Sequence, residues 1–196
     1  MKKNMLLSVL PALTFLGLLS CSGGGGNDPA PSLPILRFAT NLTYTDPGGT
    51  GFRLVKAPSS ASGKLLVLEL RGPAGTSTGR GVSFGLTVDG SKAWFVQVDG
   101  SDPEYAQNVA FDLGSSPQLF KAVREGNNVL RASIAQKGQS NAKALDGVLA
   151  RVALLLQSNV LPGTIAFTAS GDSKALLGGN GAPEPITIAV GALGAQ

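Results

Sequence analysis

The chain has no histidine, one cysteine and one tryptophan in its 196 residues. Without imidazole, the side chain that most often binds zinc, copper or haem is missing, and so is the usual general base of a Ser-His-Asp triad or a Cys-His pair. A single cysteine excludes any disulfide within the chain. Charge is sparse as well, at 14% of residues. The balance of 16 Lys+Arg against 12 Asp+Glu is too small and too scattered for a nucleic-acid footprint, and Lys2 and Lys3 supply two of the cations. Paired carboxylates, a Ser-Lys dyad or a hard cation held by oxygen atoms are what these absences leave open.

What is present begins with a positively charged start, Met1-Lys2-Lys3-Asn4-Met5, followed by an apolar run from Leu6 to Leu19. That run is shorter than the roughly 20 residues a spanning helix needs, so it reads as the core of an export signal. Leu18-Leu19-Ser20-Cys21 then resembles the lipobox of bacterial lipoproteins. The resemblance implies that residues 1–20 are removed and that Cys21 carries an S-diacylglycerol and an N-acyl chain of the palmitate type. Several chains on one residue exceed the marginal anchoring of a single chain, since each buried CH₂ contributes roughly 0.8 kcal/mol. Residues 21–34 are rich in glycine and proline and read as the lipidated cysteine and a tether. Ser22 is what lipoproteins sent to the outer membrane of a Gram-negative cell usually carry, so the expected address is that membrane, facing the periplasm or the cell surface.

Residues 35–196 read as a single all-β domain. Alternation recurs at strand length in Leu66, Leu68 and Leu70, in Leu130, Ala132 and Ile134, in Ile165 and Phe167, and in Ile186, Ile188 and Val190. Val148 to Leu156 is apolar on nearly both faces and reads as a central strand, with a buried helix as the alternative. Turn residues separate these runs, among them Asp46-Pro47-Gly48-Gly49, Asp89-Gly90, Asn127-Asn128 and Pro162-Gly163. A hairpin is expected at 35–57. One short helix is expected where Ser116 caps, Pro117 opens, Leu119, Phe120 and Val123 form a stripe, and Gly126 closes. Strand faces cannot be stable alone, so the pattern predicts a two-sheet sandwich.

Two motif matches do not survive their context. Gly81-Val82-Ser83-Phe84-Gly85 fits a nucleophile elbow, but Ser83 has no histidine partner and alternates with Val82, Phe84 and Leu86 as the solvent face of a strand. Ser140-Asn141-Ala142-Lys143 fits S-x-x-K without the companion motifs of the penicillin-recognising enzymes, and reads as a loop.

The order of the segments, over roughly residues 63–191, resembles the cohesin domains, which are nine-stranded jelly-roll sandwiches related to carbohydrate-binding modules. The resemblance rests on Lys64 to Leu70, on Val82 to Asp89, on Ala93 to Val98 and on Val129 to Ala135. It continues through Asp146-Gly147-Val148-Leu149-Ala150 to Leu154, Gly163 to Thr168 and Pro185 to Val190. It implies a jelly roll of about nine strands, here with an added N-terminal hairpin. It also implies a non-catalytic module that grips a protein partner, dockerin-like or part of an envelope assembly, while the lipid on Cys21 holds it to the membrane. A polysaccharide partner is the alternative, with Trp94, Tyr105 and Tyr44 as the candidates for stacking on sugar rings. Strand parity with Val96 and Val98 assigns Trp94 to the core instead. A purely structural envelope component is a third reading. Asp99, Asp102 and Glu104 gather carboxylates in one turn and are the calcium candidates, although their spacing is not that of an EF-hand loop. No other cofactor is expected.

Overall fold

The computed structural model describes residues 35–99, 104–114, 121–136, 141–179 and 181–196. The export signal, Cys21, the tether, Ser116 to Phe120, Asp102 and Ser140 lie outside the described residues. From Leu36 to Gln196 the chain forms one compact unit, and among the described residues no helix is long and apolar enough to cross a membrane.

Fifteen strands carry the described chain. The first eight are β1 (Leu42–Thr45), β2 (Arg53–Lys56), β3 (Leu65–Arg71), β4 (Thr78–Val88), β5 (Ala93–Val96), β6 (Ala106–Asn108), β7 (Lys121–Glu125) and β8 (Val129–Ala135). The rest are β9 (Lys143–Ala144), β10 (Val148–Leu156), β11 (Gly163–Ile165), β12 (Phe167–Ala169), β13 (Lys174–Leu177), β14 (Ala182–Pro185) and β15 (Ala192–Ala195). They make a five-stranded sheet, β2-β3-β10-β5 with β6 also on β10, and a seven-stranded sheet, β14-β13-β4-β8-β7 with β12 and β9 also on β4. A third sheet, β1-β15-β11, has three strands.

The two larger sheets bury one face each against the other. Leu54, Leu66, Leu68, Leu70, Phe95, Val152 and Leu154 come from the five-stranded side, and Val82, Phe84, Leu86, Leu130 and Ile134 from the seven-stranded side. Each fully buried aliphatic side chain contributes about 1.5–3 kcal/mol, so this interlayer core dominates stability. Alternation in β3, β4 and β8 is what aims these residues inward.

The all-β sandwich agrees with the sequence pattern, while several local expectations do not hold. Residues 35–57 are not a hairpin: β1 pairs with β15 and β2 with β3, so the two strands belong to different sheets. No helix forms at Val123 to Gly126, because Lys121–Glu125 is the edge strand β7, paired with β8. That pairing satisfies a ladder which an isolated helical turn cannot match, and it turns Val123 outward and Ala122 inward. The run from Ile165 to Phe167 is two strands, because the chain leaves the small sheet and enters the seven-stranded one at Ala166, whose carbonyl accepts from Asp89 N–H. Ile186 to Val190 forms no strand and makes a single parallel bridge, Ala189 to Arg53. The last strand lies further on, at Ala192–Ala195.

Candidate functional site

The outer face of the seven-stranded sheet is built by three registered strands. β4 presents Ser83, Gly85 and Thr87, β8 presents Val129, Arg131 and Ser133, and β7 presents Lys121, Val123 and Glu125. Pairing sets Ser83 beside Ser133 and Ser133 beside Lys121, then Gly85 beside Arg131 and Arg131 beside Val123. Small residues therefore form the floor and charged ones the walls. The result is a hollow of about 280 Å³ lined by Ser83, Lys121, Val123, Glu125, Arg131 and Ser133. A second hollow of about 90 Å³ shares Ser83 and Arg131 and reaches Asp172.

Arg131 is the centre of this face. Its Nε lies 2.8 Å from Glu125 Oε1 and its Nη1 3.6 Å from Asp172 Oδ2, so one guanidinium spans two carboxylates from different elements. Asp172 sits in the loop after β12, where chiefly a hydrogen bond from Ser170 Oγ holds its carboxyl below the usual range; desolvation opposes the shift, and its own backbone N–H, Arg131 and Lys174 add to it. The loop can approach because residue 85 is glycine: a Cβ there would stand 2.9 Å from Ser170 Cβ. Ser170 N–H also donates to Gly85 O at 2.8 Å. Lys174 is registered opposite Ser83. The face thus offers donors and acceptors of both signs around an exposed valine, suited to recognising a complementary polar surface. Ser83 is the exposed strand residue its alternation predicts.

The three aromatic candidates are not brought together. Tyr44 is half-buried in β1: its hydroxyl donates to Leu54 O at 3.1 Å and accepts from Gly191 N–H at 2.6 Å, and its ring meets Phe167 edge-on at 6.3 Å. Burial raises its pKa above 10.0, with the Gly191 hydrogen bond opposing and Asp46 adding to the rise. Tyr105 has the Arg124 guanidinium over its ring at 4.5 Å, so that face is already covered. Trp94 is not in the core. Ala93 and Phe95 face inward from β5, which leaves Trp94 and Val96 facing out. The reason is the Asp89-Gly90 turn, whose Gly90 carbonyl accepts the Trp94 ring N–H at 2.7 Å and pins the indole outside. Of the calcium candidates, Asp99 is exposed and Glu104 half-buried. No group of three or more potential metal ligands occurs among the described residues.

Sequence reasoning missed Arg131, Glu125 and Asp172; the first two sit on the paired strands β8 and β7, and Asp172 is distant in the chain. Only register brings them together, and the one local signal is the polar alternation of Arg131 and Ser133.

No family model matches the sequence, and no curated protein matches it. Solved structures do match. The sixth cohesin of scaffoldin B from Acetivibrio cellulolyticus, in complex with a Cel5 dockerin mutant, aligns with a TM-score of 0.51 at 17% identity, over 73% of this chain and 97% of that one. A type II cohesin from the cellulosome of the same organism aligns at 0.53 and 13% identity, over 73% and 93%. The cohesin CaCohA2 of Clostridium acetobutylicum aligns at 0.51 and 14%, over 73% and 88%. At these identities the likeness is one of fold, and the fold of this chain is the cohesin-like jelly-roll sandwich.

Proposed function

We propose that this chain is a non-catalytic protein-binding module, displayed on the outer membrane through a lipid on Cys21. The observation that carries the binding reading is the Arg131-centred face, a shallow polar hollow with Val123 exposed at its side. Lys121, Glu125 and Arg131 on β7 and β8, with Asp172 and Lys174 beyond β4, set cations among carboxylates around the hollow, which suits orientation of a complementary protein surface. The fold supports the same reading, since a solved neighbour is a cohesin in complex with a dockerin. A dockerin-like module or a component of an envelope assembly is the partner class that follows. The lipobox residues Leu18 to Cys21 support the anchor.

Affinity capture from an envelope extract of the source cell, with the full chain as bait, tests the binding face. A partner retained by the native protein is expected to fall at least tenfold with Val123→Asp and with Arg131→Glu, the variants keeping native circular dichroism. Equal retention by the variants, or no retained protein, defeats the reading.

A further inference from the structure

The opposite face of the sandwich carries a second surface, of different chemistry. In β3, β10 and β5 the residues that face away from the core are apolar over two complete rows. Leu65, Leu155 and Trp94 are registered across three strands, and Val67, Ala153 and Val96 form the next row. Leu65 is 43% exposed, Val67, Trp94, Val96 and Leu155 are each partly exposed, and the small Ala153 at the centre of the second row is buried among them. Among the described residues this block is open at Leu65, Val67, Trp94, Val96 and Leu155, and contiguous apolar surface of this kind marks an interaction site.

Shape and charge together specify the occupant. The loop before β3 rises beside the block and leaves a hollow of about 440 Å³ between residues 59–64 and Leu65, Val67 and Leu155. A walled hollow receives a ridge rather than a flat bilayer. Strands lie about 4.8 Å apart, so each row is roughly 10 Å long, which matches the rise of about 10.5 Å between positions i and i+7 of an α-helix. Aliphatic neighbours give no hydrogen bonds to sugar hydroxyls, and the Trp94 ring N–H is already donated to Gly90 O. Arg71 and Arg151 border the second row, with Arg53 registered beside Arg71, and exposed Lys64 borders the first. The carboxylate facing outward among them, Glu69, is 3% exposed and closed between Arg71 at 2.9 Å and Arg151 at 3.2 Å. Both rims are therefore cationic, and a second copy related by a two-fold axis would set cation on cation.

We propose that this face docks an amphipathic helix of a protein partner, with an apolar stripe across Leu65, Leu155 and Trp94 and carboxylates along its flanks. The site is separate from the Arg131 face, and it stands or falls independently of what that face binds.

The sole tryptophan is the reporter. The full chain, held in phosphatidylcholine nanodiscs, is titrated with a synthetic helical peptide bearing leucines at i, i+3, i+4 and i+7 and glutamates on both flanks. A peptide with the same stripe and lysine flanks is the control. The acidic peptide is expected to shift Trp94 emission saturably and to bind at least tenfold tighter than the control. Leu65→Asp is expected to weaken it at least tenfold and Lys64→Glu about threefold, with native circular dichroism, whereas Val123→Asp on the opposite face leaves it unchanged. The proposal is overturned if the two peptides bind alike or not at all, or if Leu65→Asp has no effect. It is equally overturned if sedimentation shows a dimer that Leu65→Asp dissolves, or if phosphatidylglycerol vesicles shift the emission more strongly than the acidic peptide.

Discussion

Tyr44 ties three segments with one hydroxyl, donating to Leu54 O in β2 and accepting from Gly191 N–H just before β15. Residue 191 is glycine because a Cβ there would overlap the Thr45 carbonyl and crowd the Tyr44 ring. Phenylalanine at 44 keeps the packing and removes both hydrogen bonds, leaving two partly buried backbone groups without that partner. The expected cost is about 1–3 kcal/mol, read as a lower urea midpoint at neutral pH. The same substitution alters the response to base. Burial raises the Tyr44 pKa in the folded chain above 10.0, so the folded state holds its proton more tightly than the unfolded state does. The resulting stabilisation is fully present below pH 10.0 and is lost as pH rises through the folded value. Native protein should therefore lose more stability than Tyr44→Phe as the pH rises above 10.0, and parallel curves for the two would refute the role given to this hydroxyl.

At the scale of the element, β10 shows what an apolar run can and cannot specify. It pairs with β3 on one side and with β5 and β6 on the other, so it is the central strand that its composition predicts. Leu154 is fully buried, whereas Leu155 beside it faces out between Leu65 and Trp94. Leu154→Ala is expected to cost about 2–5 kcal/mol and Leu155→Ala under about 1 kcal/mol in urea unfolding. Comparable losses would mean that the outward face is packed rather than open. The strands whose large residues alternate, β3, β4 and β8, were legible because period-two burial shows in one chain. Ala192–Ala195 was not, since Ala-Leu-Gly-Ala carries little hydrophobic contrast and pairs only through its neighbours β1 and β11. Val123 fitted a helical stripe locally but was taken by the ladder to β8. Trp94 was misassigned by parity alone, because nothing local says which of two alternating faces is the inner one; the Gly90 hydrogen bond decides it. The candidate face was illegible for a related reason. Ser83 comes beside Ser133, and Gly85 beside Arg131, only through the register of β4 with β8, and a pairing so distant in the chain leaves no periodic trace.

At the scale of the molecule, the proposed lipid on Cys21 and the two faces make one functional argument. A binding module gains from an anchor because a partner in the same membrane meets it at high effective concentration, set by the reach of the tether rather than by bulk dilution. The anchor and the affinity are separable, and Cys21→Ser separates them. The native chain is expected in the membrane fraction, to gain the mass of a diacylglycerol and an acyl group, and to incorporate labelled palmitate. The serine variant should keep its leader or be cleaved elsewhere, take up no palmitate, and enter the detergent-poor phase on Triton X-114 partitioning. Its binding face lies more than ten residues from the substitution, so affinity for the captured partner measured in solution should be unchanged while co-fractionation with that partner in cells falls. Palmitate incorporation by the serine variant, or a native chain found in the soluble fraction, would remove the anchor and leave a free module whose local concentration must come from elsewhere.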